Sequence, residues 1–384
     1  MARTRQSVAM QDVLHMKPGS HPVISCYLKL EPRDRVRKKY LTKARNRVKE
    51  LEYALPSMGW DKRGQGAIRA DLGRVLDYLD DEARLPESGG IAIFACKATN
   101  LFDVRALPRV HRSRLVVDRT PLVRELAASE AEFGKIFTVT VDRTSALIWE
   151  VTAFQATVVQ KVTSEITRGG RWHAGGARGD ATGEHTFHNR IRDEKRRHFE
   201  GVARALFELD RKSPGHQIVI AAGGSDAAAL EPFLHTYLAE RLIGFAKLSL
   251  KDANPDSVHQ LTKEVRAEHA RNLDTQHIEE LAEGLGTGWA VNGVRETLNA
   301  LSQGKVRFLL VRGEAVMPGF RSMKTGRLST QARDLRADGD VLPTVDVLDD
   351  AIEEALRQRV ALDVIYDAET ADAVDGLAGL LRFK

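Results

Sequence analysis

A chain of 384 residues is too long for one ordinary hydrophobic core, so two or three domains are expected. Hydrophobic residues at 42% and charged residues at 29% argue against large-scale disorder. The longest apolar runs, such as Ile91–Cys96 and Ile218–Ala222, are far short of a membrane span, and a formal net charge of +5 says little about a nucleic-acid partner until the charges are placed along the chain.

The opening residues, MARTRQSVAMQD, have no apolar signal-peptide core. Cys26 and Cys96 each lie in an apolar strand pattern without metal-ligand spacing. The expectation is a reduced, cytoplasmic protein with no metal site, no disulfide framework and no cofactor.

The first predicted strand is Pro22–Leu30, PVISCYLKL, which alternates and is rich in β-formers. A helix is expected next, over Arg33–Leu55, because Val36, Tyr40, Ala44, Val48, Leu51 and Leu55 recur at helical spacing. Its remaining positions are crowded with cations. Arg33, Arg35, Arg37, Lys38, Lys39, Lys43, Arg45, Arg47 and Lys49 stand against the single acid Asp34, and no further acid follows until Glu50 and Glu52. Exposed helices usually balance their signs with pairs three or four residues apart. Like charge at this density is either a solvated face or a surface for phosphates. Six such groups on single-stranded RNA would give log K against log salt a slope of about −4. A second helix over roughly 67–79 and two strands turning at Thr99–Asn100 complete a first α/β domain, residues 1–125.

The second domain is expected over 126–272. A short helix, PLVRELAAS, precedes about three strands in Phe137–Ile166. Then comes ITRGGRWHAGGARGDATGEH, with six glycines in the fifteen residues Gly169–Gly183 and no apolar periodicity. The loop, residues 167–183, lacks the Gly-Lys-Ser/Thr ending of a Walker phosphate loop and the spacing of a dinucleotide loop. Connections this long without secondary structure are often functional. Trp172 can stack on a base, and Arg168, Arg171 and Arg178 can meet phosphates, with His173 beside them. The helix behind it, Glu184–Lys212, buries Phe187, Ile191, Phe199, Val202, Leu206 and Leu209 on one face and carries Arg190, Arg192, Lys195, Arg196 and Arg197. Two cationic surfaces on two domains point to an extended polyanion.

Catalytic candidates are thin. Gly223–Ala227, GGSDA, follows a strand, but a nucleophile elbow would want glycine in place of Ala227; Ser225 or Asp226 as a helix cap is the simpler reading. His185 and His188 lie three apart without an acidic or thiol ligand at suitable spacing, so no metal site is expected. Trp60, Trp149 and Trp289 are expected to be packing residues. The third domain, 273–384, reads as loop, helix and strand, a polar basic segment Phe320–Asp340, then helix, strand, helix and a terminal LLRF.

The co-linear order of these features resembles the bacterial proteins related to archaeo-eukaryotic class I release factors and to Pelota. The resemblance spans nearly the whole chain. It rests on HPVISCYLKL with the basic helix and GGIAIFAC, on FTVTVDRTSALIWEV with the glycine loop, HNRIRDEKRRHFEGVARALFEL and IVIAAGGSDAAALEPFLHTYLAERLIGFAKLSL, and on VNGVRETLNALSQGKVRFLLV and GLAGLLRF. It implies three α/β domains in a tRNA-like arrangement, the central one RNase-H-like with the glycine-rich loop, the last L7Ae-like. It also implies a ribosomal A-site factor that contacts the rRNA of both subunits, acts in rescue or hibernation, and docks a translational GTPase through its third domain. Neither a membrane nor DNA is an expected partner. In release factors the central loop carries Gly-Gly-Gln. Here Gly169 and Gly170 are followed by Arg171, and no glutamine occurs from Lys161 to His216. Arginine is a charged donor without an acceptor. The leading expectation is therefore a binding factor without catalytic residues. A peptidyl-tRNA hydrolase using the altered loop and a non-ribosomal RNA-binding protein stay open as alternatives.

Overall fold

The computed structural model describes residues 21–164, 181–224 and 226–384, those at 130–132 and 181–190 by backbone alone. It is a mixed α/β protein with four sheets among the described residues. It divides into two compact units: residues up to 131 together with 273–384, and residues 132–272. The segments expected as first and third domains thus fall in one unit, and the central segment forms the other.

The first segment is built on β1 (Val23–Lys29), α1 (Pro32–Arg35), α2 (Lys39–Ala54), α3 (Lys62–Asp80), β2 (Gly90–Cys96), β3 (Leu101–Leu107), β4 (Arg114–Asp118) and α4 (Arg124–Phe133). Its strands form one antiparallel sheet in the order β3-β2-β1-β4, with Cys26 opposite Ile93 and Leu115. Alternate residues point to opposite faces of a strand. Ile24, Cys26, Leu28, Ile91 and Ile93 accordingly pack under α2 and α3, while Val23, Tyr27, Ala92 and Phe94 make a second core with Leu122 and Leu126. Both cysteines are free and buried, and burial pushes the Cys26 thiol up to about 12.

The central unit holds β5 (Ile136–Val141), β6 (Ser145–Val151), β7 (Ala156–Thr163), α5 (Ala181–Lys212), β8 (Gln217–Ala222), α6 (Asp226–Leu230), α7 (Thr236–Ala239), β9 (Leu242–Lys247) and the first part of α8 (Pro255–Thr287). The sheet order is β7-β6-β5-β8-β9. The first three strands meander antiparallel, and β8 and β9 run parallel to β5. Phe199, Val202 and Leu206 of α5 cover one face, and Val258 of α8 packs with Trp149 and Val219 on the other. A 2.7 Å contact between the Thr138 and Thr262 hydroxyls ties α8 to the middle of β5.

The last segment contains β10 (Ala290–Asn292), α9 (Val294–Ser302), β11 (Val306–Arg312), β12 (Gly319–Ser322), β13 (Leu328–Ser329), β14 (Val341–Thr344), α10 (Val347–Arg357), β15 (Ala361–Ile365), α11 (Ala368–Ala371) and β16 (Leu377–Leu381). Its main sheet runs β10-β16-β11-β15. The polar basic segment from Phe320 does more than interrupt. With β14 it forms its own sheet, β13-β12-β14, and brings Arg321 to the buried carboxylates Asp350 (2.8 Å) and Glu353 (2.6 Å). Val123, just before α4, and Ala127 and Ala128 of α4 belong to the same core as Leu298, Leu309 and Leu348. Trp149 is buried and Trp60 packs against the first core, as expected of packing residues. Trp289 differs: it is exposed, beneath the Lys384 ammonium, 5.3 Å from the ring centre.

Candidate nucleic-acid interface

The basic run is not one helix. α1 ends at Arg35, a 3-10 turn covers Val36–Lys38, and α2 starts at Lys39. Arg37 and Lys38 both adopt the left-handed conformation, at φ 66° and 50°. That conformation costs a non-glycine residue about 1–2 kcal/mol. Here Arg35 helps to hold the bend, because its guanidinium donates to the carbonyls of Leu30 (3.0 Å), Pro86 and Ser88 (3.5 Å). The break corrects the expectation for Val36, which is 61% exposed although its spacing matches the buried face. From Tyr40 onward the spacing holds: Tyr40, Leu41, Ala44, Val48 and Leu51 are buried.

The expected charge imbalance is partly relieved, by Asp34 and Glu50 at the ends of the run and by Asp80 and Glu82 from beyond it. Lys43 meets Asp34 at 2.9 Å, Arg45 meets Asp80 at 3.0 Å and Lys38 lies 4.0 Å from Glu82. Arg47 donates to Glu50 at 2.6 Å and to the Leu115 carbonyl at 3.3 Å. Exposed pairs of this kind contribute at most about 1 kcal/mol each, and an anionic ligand can displace them. Arg33, Arg37, Lys39 and Lys49 are exposed and form no ion pair among the described residues.

The second predicted surface is described only in part. Arg168, Gly169, Gly170, Arg171, Trp172, His173 and Arg178 lie outside the described residues, as does the Arg190 side chain. Lys195 is tied to Asp226 at 2.5 Å, and its ammonium sits 5.2 Å from the Phe199 ring centre. Arg196 is 3.9 Å from Glu200, and Arg197 is exposed. The helix is fixed to the strand leading into the glycine stretch by buried His198, whose Nδ1 is 2.8 Å from the Ser164 hydroxyl. Burial holds the His198 imidazole below its usual pKa, so the neutral ring is favoured.

No group of three or more His, Cys, Asp or Glu among the described residues could hold a metal ion, and no helix among them is long and apolar enough to cross a membrane. The sequence reading missed Tyr53. This residue is 91% exposed on α2, the largest exposure of any sizeable apolar side chain described. The signal was available, since Tyr53 falls four residues after Lys49 and off the apolar stripe.

Residues 136–287 match the family model of bacterial archaeo-eukaryotic release factor family 2. Over those residues the match bears out the resemblance read from the sequence. No curated protein matches the chain in sequence. Among solved structures it is similar to an archaeal translation termination factor, aRF1, at 17% identity over 98% of this chain and 99% of that one, with a TM-score of 0.27. It is also similar to Archaeoglobus fulgidus Pelota at 13% identity over 77% of this chain and 79% of that one, with a TM-score of 0.32. Dom34 of S. cerevisiae aligns at 11% identity over 77% and 79% of the two chains, with a TM-score of 0.39.

Proposed function

We propose that the protein is a ribosome-binding translation factor of the release-factor type, which occupies the A site of stalled or idle ribosomes and leaves the peptidyl-tRNA ester intact. The observation that carries this reading is the family match over residues 136–287. Two features support it. The central sheet, three antiparallel strands followed by two strands parallel to the first with helices on both faces, supports reading this unit as the RNase-H-like α/β domain. Arg33, Arg37, Lys39 and Lys49, which form no ion pair among the described residues, give the first segment a surface suited to ribosomal RNA phosphates.

The non-hydrolytic reading rests on Arg171. A residue that only donates hydrogen bonds and keeps its charge can bind a phosphate or a carbonyl oxygen, but it cannot take a proton from water. In this reading the Gly169–Gly183 stretch reaches the large subunit, the first segment reaches the small subunit, and the L7Ae-like last segment receives a translational GTPase.

Co-sedimentation with ribosomes across a salt series tests the proposal. Binding at low salt that weakens steeply with salt is expected; no association at low salt refutes it. Peptide release from ribosome-bound peptidyl-tRNA, lost in Gly170→Ala and Arg171→Ala, would convert the factor into a hydrolase.

A further inference from the structure

One face of α2 packs against nothing among the described residues. Lys39, Thr42, Asn46, Lys49 and Tyr53 follow one another at intervals of three and four residues, so they lie in one line along the helix. All five are exposed. Among the described residues Lys39 and Lys49 make no ion pair, and Thr42 bonds only back to the Lys38 carbonyl at 3.5 Å. The neighbouring cations Lys43, Arg45 and Arg47 are each turned aside to Asp34, Asp80 and Glu50. The two lysines are ten residues apart, about 15 Å along the axis, far enough to meet separate phosphates of one strand. At the end of the line stands Tyr53, an almost fully exposed ring. Leaving the ring in water forgoes the stabilisation that burying its apolar surface would contribute, and among the described residues no contact holds it there.

We propose that this line is a binding track for single-stranded RNA, with Lys39 and Lys49 on phosphates and the Tyr53 ring stacked on an unpaired base. Cations spaced along a backbone and an aromatic plane open on its face are what non-paired RNA offers contacts for. Thr42 and Asn46, between the lysines, supply neutral hydrogen-bonding groups to sugar or base edges. A duplex would satisfy the lysines but leave Tyr53 without a partner, because its bases are stacked inside. An acidic protein surface would also meet the lysines, but gives the ring no reason to be bare. Glu52 flanks the track and opposes any polyanion on it. The inference rests on reading this helix as an RNA surface; it adds the kind of RNA and the residue that recognises it.

The test uses the full chain and a fluorescein-labelled, unstructured 12-nucleotide RNA, with binding followed by anisotropy over a salt series. Tyr53→Ala should weaken binding at least about 5-fold with an unchanged salt slope, while Tyr53→Trp retains it. Lys39→Ala/Lys49→Ala should lower the slope by about 1.4, and Glu52→Gln should tighten binding. A 5-bromouridine-substituted 12-mer should crosslink at Tyr53. Because Tyr53 is exposed, the variants should melt as the parent does. The inference is overturned if Tyr53→Ala binds the RNA as the parent does, or if polyglutamate displaces the RNA and binds equally well. If ribosome co-sedimentation persists while Tyr53 proves silent, this inference fails alone; if the RNA track is confirmed but ribosomes are not bound, the proposed function fails and the track stands.

Discussion

The guanidinium of Arg124, only 1% exposed, donates through Nη2 to Asp346 at 3.0 Å. It also donates through Nη1 to the Gly313 carbonyl at 3.2 Å and to the Ala315 carbonyl. The backbone N–H groups of Val123 and Arg124 donate to Asp349 at 2.9 Å each, and Arg114 reaches Asp346 at 3.2 Å. These bonds join the start of α4 to the start of α10 across more than two hundred residues of sequence. Burying ions is costly, and removing one member of such a set strands the rest. Arg124→Ala should therefore destabilise this unit by about 3 kcal/mol, read as a lower urea midpoint. An unchanged midpoint would show that Arg114 alone holds Asp346.

Asp274 gives the same unit a pH dependence. Burial raises its carboxyl to about 7, with the charge of Asp363 and a hydrogen bond to it acting in the same direction and His277 acting against them. A carboxyl raised on folding favours the folded state while protonated. Its contribution is complete below the ordinary value of 3.8 and is lost as pH rises through about 7. The melting temperature of this unit should fall between pH 5 and pH 8, and Asp274→Asn should remove that part of the fall. A variant with the parent's full slope would assign the effect elsewhere.

Much of this architecture can be read from residue patterns, and the parts that cannot share a cause. The strand at Pro22–Leu30 and the run after Phe137 declare themselves by alternating β-branched residues, because burial on a pleated sheet repeats every two residues. The break at Arg37 and Lys38 is silent, since no periodicity encodes a left-handed residue that is not glycine. Arg321 sits in a segment that reads as polar and solvated, yet it is buried because Asp350 and Glu353 come to it from α10, about thirty residues on. The basic run likewise looked uncompensated because Asp80 and Glu82 lie beyond any helical neighbourhood of Arg45 and Lys38. Local pattern carries local structure; pairing between distant charges has to be seen in three dimensions.

The contact between Ser164 and His198 predicts an opposite pH response in the central unit. Ser164→Ala would remove the hydroxyl that lies 2.8 Å from His198 Nδ1 and leave that buried ring nitrogen short of its side-chain partner. That should cost about 1–3 kcal/mol. Because burial lowers the imidazole pKa, its contribution to stability is present above the ordinary value of 6.5 and is lost as pH falls below it. Acidification should thus weaken the central unit while it strengthens the unit that holds Asp274. Thermal unfolding at pH 5.5 and pH 8, followed by hydrogen exchange to separate the two units, checks both signs at once.

The nine cations from Arg33 to Lys49 should not contribute equally to RNA binding. Arg35 is committed to the Leu30, Pro86 and Ser88 carbonyls, so Arg35→Ala should act first on stability by loosening the turn that it braces. Lys43 and Arg45 must give up Asp34 and Asp80 before they can serve a phosphate, which offsets part of what each would gain. Arg33, Arg37, Lys39 and Lys49 have no such competitor among the described residues. Replacing these four by alanine should reduce the salt slope of ribosome association by about 3 without lowering the melting temperature. Replacing Lys43 and Arg45 should reduce it by less than the 1.4 that two unpaired cations would give. Equal effects per residue in the two sets would mean that the ion pairs seen in the free protein exchange for phosphates at no cost, and charge count alone would then set the affinity.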